Sequence, residues 1–387
     1  MKNALPASFV HRGVATRLVM REGAIDGLRA ELDALGIARP LLLGGARTQR
    51  SALFARSLAA LGDLPHLLAE PVPAHSSVAL VERLAARALA EGVDGFVAVG
   101  GGSASDTAKA IALLMAEGGS LADHAVRFTP PDSLVAPRLV APKLPVVAIP
   151  QTASGAEVTV SLGVRGDDGA KLLFTDAQLA ARLVLIDPRA NLEIPAALMC
   201  ATGMNGLAHC LEGLYSMERS PLAETLALDA MARFAQALPA VHRDPHDVAA
   251  RAALLYAAHL SGQVLVNART CLHHAVCHAI GSVTGAGHGD ANAVMLPHAI
   301  AFNAEAAAGP LMRAAAAWGA PDVPALVAAL RALQAAIDVP TRLCDIGVPR
   351  DALDRIGAKT MRERGLHYNP RRVAGAQEIR ALLDAAY

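Results

Sequence analysis

The stretch CLHHAVCHAIGSVTGAGHGDANAVMLPH, from Cys271 to His298, concentrates the side chains best able to do chemistry. It holds His273, His274, His278, His288 and His298, five of the chain's 14 histidines. His274 and His278 are four apart, so on a helix they share a face about one turn apart. The run Cys271–Ile280 has neither Gly nor Pro, which predicts a helix. Gly281, Gly285, Gly287 and Gly289 are expected to break it and to leave His288 in a loop. A second pair at the same spacing, Asn205 and His209, lies in TGMNGLAHCLEGLY. Neutral imidazoles from two helices and a loop can converge on one metal ion or on one substrate oxygen.

The elements that must position this cluster can be read from the apolar pattern. Pro40–Gly44, Gly95–Val99, Pro145–Ile149 and Leu183–Asp187 read as strands, with helices over Ala24–Leu35 and Val78–Glu91. Short apolar runs separated by helices predict a parallel sheet covered on both faces. Val158–Val164 and Lys171–Thr175 flank Gly166-Asp-Asp-Gly169, a hairpin signal, and Arg127–Lys143 reads as a proline-rich surface loop. After Asn191 the texture changes to helical periodicity. The clearest helices are Pro221–Leu238, Asp247–Gly262, Pro310–Trp318 and Val323–Ile337. We therefore expect an α/β dinucleotide-binding domain over 1–190 and an all-helical domain carrying the histidines over 191–387, with the boundary near Pro188–Pro195.

Composition narrows the class. At 387 residues and 53% hydrophobic, the chain can build more than one core. It has no 18-residue uncharged apolar run, so no transmembrane helix is expected, and MKNALPASFVHRG lacks a signal-peptide core. Lys plus Arg and Asp plus Glu both total 35, which gives no reason to expect nucleic acid or an anionic membrane as partner. Five scattered cysteines fit reduced thiols in the cytoplasm better than a disulfide framework.

The strand Phe96–Val99 runs into Gly100-Gly-Gly-Ser-Ala-Ser-Asp-Thr-Ala-Lys-Ala110. A glycine-rich turn from strand to helix offers backbone N–H groups at a helix N-terminus, suited to a phosphate. The spacing is neither that of the dinucleotide fingerprint nor that of the P-loop, and the glycines equally serve a tight turn.

GGGSASDTAKAIAL, IPQTASGAEVT, TGMNGLAHCLEGLY and the histidine stretch stand in the order seen in group III, iron-containing alcohol dehydrogenases, and the chain resembles that family over nearly its whole length. Within it the chain is most similar to the maleylacetate reductase branch. The resemblance implies a Rossmann-like α/β domain followed by an all-α domain, the dehydroquinate synthase-like architecture. It implies NADH or NADPH on Gly100, Gly101, Gly102, Ser103 and Asp106, with Thr152 lining the pyrophosphate and ribose. The family's Asp, His, His, His metal set falls on Asn205, His209, His274 and His288, and His278 falls beside substrate and nicotinamide.

Asn205 departs from the family's pattern, because a neutral amide replaces the only anionic ligand. Maleylacetate reductases have Asn there too, so the resemblance implies that iron or zinc is permitted on the three histidines but not required. HYNPRRV (His367–Val373) is similar to that branch's tail, whereas SDTAKA and GSLADHAVRF are similar to alcohol dehydrogenases proper, and Ala275 stands where the branch has Lys.

The expected reaction is hydride transfer from NAD(P)H to maleylacetate or a related carbonyl or unsaturated acid. His278 would donate the proton, and Asn205, His209 and His274 would stabilise charge on oxygen. Arg269, Arg371 or Arg372 could hold a substrate carboxylate or simply be solvated. His273 and His298 read as structural, and the cysteines, Cys277 included, as small buried hydrophobes. Leu41–Leu43 runs into Gly44, Gly45 and Ala46 with Arg47 and Arg50 behind, and has no carboxylate to reject a 2′-phosphate, so NADPH should be accepted. A cytoplasmic homodimer is expected. The alternatives are a metal-dependent alcohol or aldehyde dehydrogenase that tolerates Asn205, and a relative that binds nucleotide without turnover.

Overall fold

The computed structural model describes residues 9–74, 76–130, 133–166, 169 and 171–387. They form two compact units, one of residues 14–127 and 135–194, the other of residues up to 13, 128–134 and 195–387. The first eight residues, and Asp167 and Asp168 of the expected hairpin turn, lie outside the described residues.

The first unit is built on strands β1 (Arg17–Met20), β2 (Pro40–Leu43), β3 (Leu67–Leu68), β4 (Gly95–Gly100), β7 (Val146–Pro150) and β10 (Leu183–Ile186). They form a six-stranded sheet in the order β1-β10-β7-β4-β2-β3, with parallel pairing between the neighbours. Every residue of β2 and β10 is buried, as uninterrupted apolar runs require when both faces are covered. Helices α1 (Leu28–Ala34), α2 (Ala52–Ala59), α3 (Val78–Ala90) and α4 (Gly102–Glu117) connect the strands. Serine caps start two of them: Ser51 Oγ accepts from Phe54 N–H, and Ser77 Oγ from Leu80 N–H. Leu28, Leu32, Val97, Val99, Val147 and Leu183 are part of one buried cluster on the sheet.

The edge strands β1 and β3 were not expected. One is partly exposed and the other spans two residues, too little for an apolar run to show. The expected surface loop contains β5 (Arg127–Thr129) and β6 (Ser133–Val135), and β8 (Ser161–Arg165) pairs antiparallel with β9 (Lys171–Thr175) as the hairpin signal predicts.

The second unit contains α5 (Ala196–Tyr215), α6 (Pro221–Arg243), α7 (Val248–Asn267), α8 (Leu272–Thr284), α9 (His288–Asn303), α10 (Ala308–Ala317), α11 (Val323–Ala336), α12 (Leu353–Thr360) and α13 (Ala376–Ala385). No described residue after Pro195 is in a strand. Helix α5 is buried along most of its length and packs against α6, α7, α9 and α10. Two glycines allow that crowding: a Cβ on Gly203 would meet Leu238 Cδ2 at 2.6 Å, and one on Gly213 would meet Val264 Cγ1 at 2.2 Å.

The structure corrects the reading of the histidine stretch in one respect. Gly281 does not end α8; its carbonyl accepts the Gly285 N–H at 2.9 Å and the helix runs on to Thr284. Gly285, at φ 76°, makes the left-handed stop. His288 is therefore the first residue of α9 and not a loop residue. No helix of the described residues is long and apolar enough to cross a membrane.

Candidate active site

The sheet's strand order fixes where a nucleotide would bind. From β2 the chain moves outward to β3, then returns to β4 on the other side of β2 and continues through β7 to β10. The order reverses between β2 and β4, and ligands of open parallel sheets bind beyond the carboxyl ends at such a point. Gly44 follows β2 and Gly100–Gly102 follow or end β4. A Cβ on Gly44 would meet Val99 O at 3.2 Å. Thr48 Oγ1 donates to Gln151 Oε1 at 2.8 Å and joins this edge to the turn after β7. A Cβ on Gly101 would meet Thr152 Cγ2 and Oγ1 at 3.1 Å, so the loop and Thr152 are in direct contact. Helix α4 begins at Gly102, and the N–H groups of its first turn have no acceptor within the helix.

Ser103 and Asp106, both expected cofactor residues, have protein partners. Ser103 Oγ donates to Ala74 O, and Asp106 Oδ2 accepts the Gly163 N–H at 3.1 Å. Beneath them Lys109 is fully buried and donates to Ala156 O at 2.6 Å and Thr159 O at 2.8 Å. Burial pushes its ammonium down to about 8, against the pull of Asp106 and Glu157. Lys109 thus clamps α4 to the turn that carries Thr152. Arg47 and Arg50 are both exposed beyond β2.

In the helical unit the histidines converge. Asn205 and His209 lie on α5, His274 and His278 on α8, and His288 at the start of α9. His274 Nε2 is 2.9 Å from Asn205 Oδ1, and the His274 ring stacks on His209 with centroids 4.7 Å apart. His288 lies 5.8 Å from His274 and stacks on His278 at 5.5 Å. His209 Nδ1 is buried and without a hydrogen-bond partner among the described residues. Burial, then the neighbouring His274, His273 and His278, hold His209 well below the ordinary imidazole range, so it is neutral at neutral pH.

Two carboxylates that the sequence reading passed over organise this cluster. Glu212 Oε2 is 2.5 Å from His274 Nδ1, and its Oε1 accepts the Cys271 N–H at 2.9 Å and the His274 N–H at 3.3 Å. Burial raises the Glu212 carboxyl, opposed by His273 and the backbone N–H groups. Glu363 Oε2 lies 3.4 Å from His278 Nδ1. Glu212 had a sequence signal, since it stands one turn beyond His209 on the same helix face. Glu363 had none, being distant in sequence from α8.

His273 faces inward, with Nε2 3.0 Å from Asn292 O and Nδ1 3.3 Å from His274 Nδ1, and Cys277 is buried 3.7 Å from His273 Nε2. His298 stands apart from the cluster, held low by burial and by Arg331. Arg371 is occupied: it donates to Phe302 O at 2.9 Å and Glu378 Oε1 at 2.5 Å and lies over the Phe302 ring. Arg372 is exposed.

Glu212, His273 and His274 place potential ligand atoms within 4.8 Å of one another. The 2.5 Å contact between Glu212 and His274 is a hydrogen-bond distance, so Glu212 orients the His274 ring. His209 and His288 flank the His274 ring at centroid separations of 4.7 and 5.8 Å, and with the Asn205 oxygen they make an uncharged set of candidate donors.

A glycine-rich turn at the sheet's switch point and a cluster of imidazoles are the arrangement expected of a nicotinamide-dependent oxidoreductase, and the comparisons with known proteins show that class. The chain belongs to the iron-containing alcohol dehydrogenase family. Residues 15–188 match the family model described as iron-containing alcohol dehydrogenase, and 199–387 that of the family's C-terminal part. It is 36% identical to maleylacetate reductase 2 of Cupriavidus pinatubonensis over 84% of this chain and 82% of that one. It is 30% identical to 4-hydroxybutyrate dehydrogenase of Cupriavidus necator over 95% of this chain and 97% of that one. The crystal structure of maleylacetate reductase from Agrobacterium tumefaciens superposes with a TM-score of 0.83 at 30% identity, covering 99% of both chains. The protein is an NAD(P)-dependent oxidoreductase similar to maleylacetate reductases.

Proposed function

We propose that the protein reduces maleylacetate, or a closely related unsaturated or carbonyl acid, with NADH or NADPH. The observation that carries this reading is Asn205, whose neutral amide meets His274 Nε2 at 2.9 Å where a metal-dependent relative has a carboxylate. When bound, NADH or NADPH would supply the hydride for the electrophilic carbon, and the protein would supply the proton for the other atom of the double bond. His278, oriented through Nδ1 by Glu363, supplies the proton. His209 and the Asn205 amide would bear on the substrate oxygen that gains negative charge, with His274 held in place by Glu212. An ion on His209, His274, His288 and Asn205 would supply Lewis-acid polarisation of that oxygen when bound. With no charged ligand, that site binds an ion weakly and catalysis does not depend on it.

Gly100–Ser103 with Thr152 would hold the cofactor, and Asp106 ties α4 to Gly163 of β8. The exposed Arg47 and Arg50 admit the 2′-phosphate of NADPH. We also take the enzyme to be a cytoplasmic homodimer, which light scattering of the purified protein would check.

The test is NADH and NADPH oxidation with maleylacetate and with a panel of aldehydes, with and without a chelator. Turnover of maleylacetate that survives chelation is expected. One firmly held ion per chain, with aldehyde turnover lost on its removal and restored on its return, would replace this reading by a metal-dependent dehydrogenase.

A further inference from the structure

The link between α7 and α8 packs against the short helical turn Arg364–Tyr368. Cys271 Sγ donates to Tyr368 O at 3.4 Å, and Leu272 N–H donates to Asn369 Oδ1 at 3.3 Å. The approach is close enough that a Cβ on Gly365 would meet Cys271 O at 2.5 Å. This packing brings together Arg269 and Arg364, both part-buried. Arg269's backbone N–H goes to Ser216 Oγ, but neither guanidinium makes a hydrogen bond or ion pair among the described residues. Burial, then the charge of Arg269, push the Arg364 guanidinium below its ordinary value, while Tyr368 and Glu363 act the other way.

Arg371 shows what an arginine with a structural task looks like here, with a carbonyl, a carboxylate and an aromatic ring all engaged. Arg269 and Arg364 have none of these. Two part-buried forks set close together, with donors that make no bond among the described residues and remain open to solvent, suit an anion from outside the chain. A carboxylate matches the planar fork in both shape and charge. Their place follows from the chain. Arg364 comes directly after Glu363, whose Oε2 lies 3.4 Å from His278 Nδ1, and Arg269 stands just before the helix that carries His278.

We propose that Arg269 and Arg364 form a subsite for a substrate carboxylate beside the proton donor His278. The proposal rests on the reading above that the substrate is an acid, and it adds the residues that select one. It implies that an acid is taken in preference to its ester or to the uncharged aldehyde.

The test uses the full-length enzyme loaded with NADP⁺ and two unreactive probes, succinate and dimethyl succinate, in wild type, Arg364→Gln, Arg269→Gln and Arg364→Lys. Succinate should bind wild type more tightly than the diester. Its dissociation constant should rise about 30-fold in each Gln variant, as expected for loss of a charged hydrogen bond, with NADP⁺ affinity unchanged as the folding control. Arg364→Lys should recover part of the loss, having the charge without the fork. Equal binding of succinate and its diester by wild type, or unchanged succinate affinity in both Gln variants, overturns the subsite.

The maleylacetate assay separates this from the functional reading. If succinate binds through the arginines yet no carbonyl acid is turned over, the function fails and the subsite stands. If maleylacetate is reduced and its KM is unmoved in the Gln variants, the subsite fails and the function stands.

Discussion

Glu212→Gln is the perturbation that most directly tests how the histidine cluster is held. In the native protein one carboxylate accepts three donors: Cys271 N–H at 2.9 Å, His274 N–H at 3.3 Å and His274 Nδ1–H at 2.5 Å. A carboxamide of the same size keeps one acceptor oxygen and presents an NH₂ to the third donor. His274 can relieve that clash by moving its proton to Nε2, so that Nδ1 accepts from the amide. The replacement therefore reverses the His274 tautomer and removes the lone pair that faces Asn205. A hydrogen bond to a charged group contributes about 1.5–3 kcal/mol. That range corresponds to a loss of roughly 10- to 100-fold in kcat/KM, at about 1.36 kcal/mol per decade, and it matches the usual cost of removing the partner that orients a ligand histidine.

The assay is NADPH oxidation with maleylacetate, alongside NADPH affinity by fluorescence and long-range ¹⁵N NMR of the histidine side chains. We expect kcat/KM to fall by that factor, the cofactor affinity to hold, and the His274 resonances to switch from the Nδ1–H to the Nε2–H pattern. Wild-type activity with an unchanged tautomer would refute the assignment of Glu212 as the group that sets His274.

Gly101→Val should weaken NADPH binding at least about 10-fold with the fold intact, because its side chain would enter the 3.1 Å contact with Thr152 beside the phosphate loop; equilibrium binding checks it. His278→Ala should lower kcat by about 10²-fold, the usual worth of a positioned proton donor, with NADPH affinity unchanged. Lys109 titrates near 8 when folded against an ordinary 10.5 when unfolded, so between those values the unfolded chain binds the extra proton. Its contribution to stability must then rise with pH across that window, which urea unfolding of wild type minus Lys109→Met would show. Asn205→Asp should raise metal affinity without raising the chelator-resistant rate, measured by metal titration with parallel turnover.

The buried strands β2, β4, β7 and β10 were legible because apolar runs are local signals. The spacing of Asn205 with His209, and of His274 with His278, was legible because helical period alone puts each pair on one face. What escaped depends on contacts between distant segments. Glu363 reaches His278 across 85 residues, and no periodicity records that pairing. His288 was misread because four glycines looked like one continuous break, whereas Gly281 fits inside α8 and only Gly285 adopts the left-handed turn. The separate roles of Arg269 and Arg371 were equally hidden, since only the packing of the C-terminal segment shows which guanidinium is already occupied.

Asn205, His274 and Glu212 form a chain in which each group fixes the next. Glu212 accepts from Nδ1 of His274, so Nε2 keeps its lone pair and points at residue 205 across 2.9 Å. An aspartate there would set two acceptors against one another in a buried place, an arrangement that requires a cation or a proton between them. An asparagine requires neither. Its amide meets the lone pair with NH₂ after a half-turn, or meets an Nε2–H with its oxygen as it stands. The residue at 205 thus decides whether the cluster must recruit a cation to be satisfied, and Glu212 is what makes that decision matter. An asparagine at 205 therefore satisfies His274 with no cation between them, and the Asn205→Asp variant tests whether a carboxylate there calls one in.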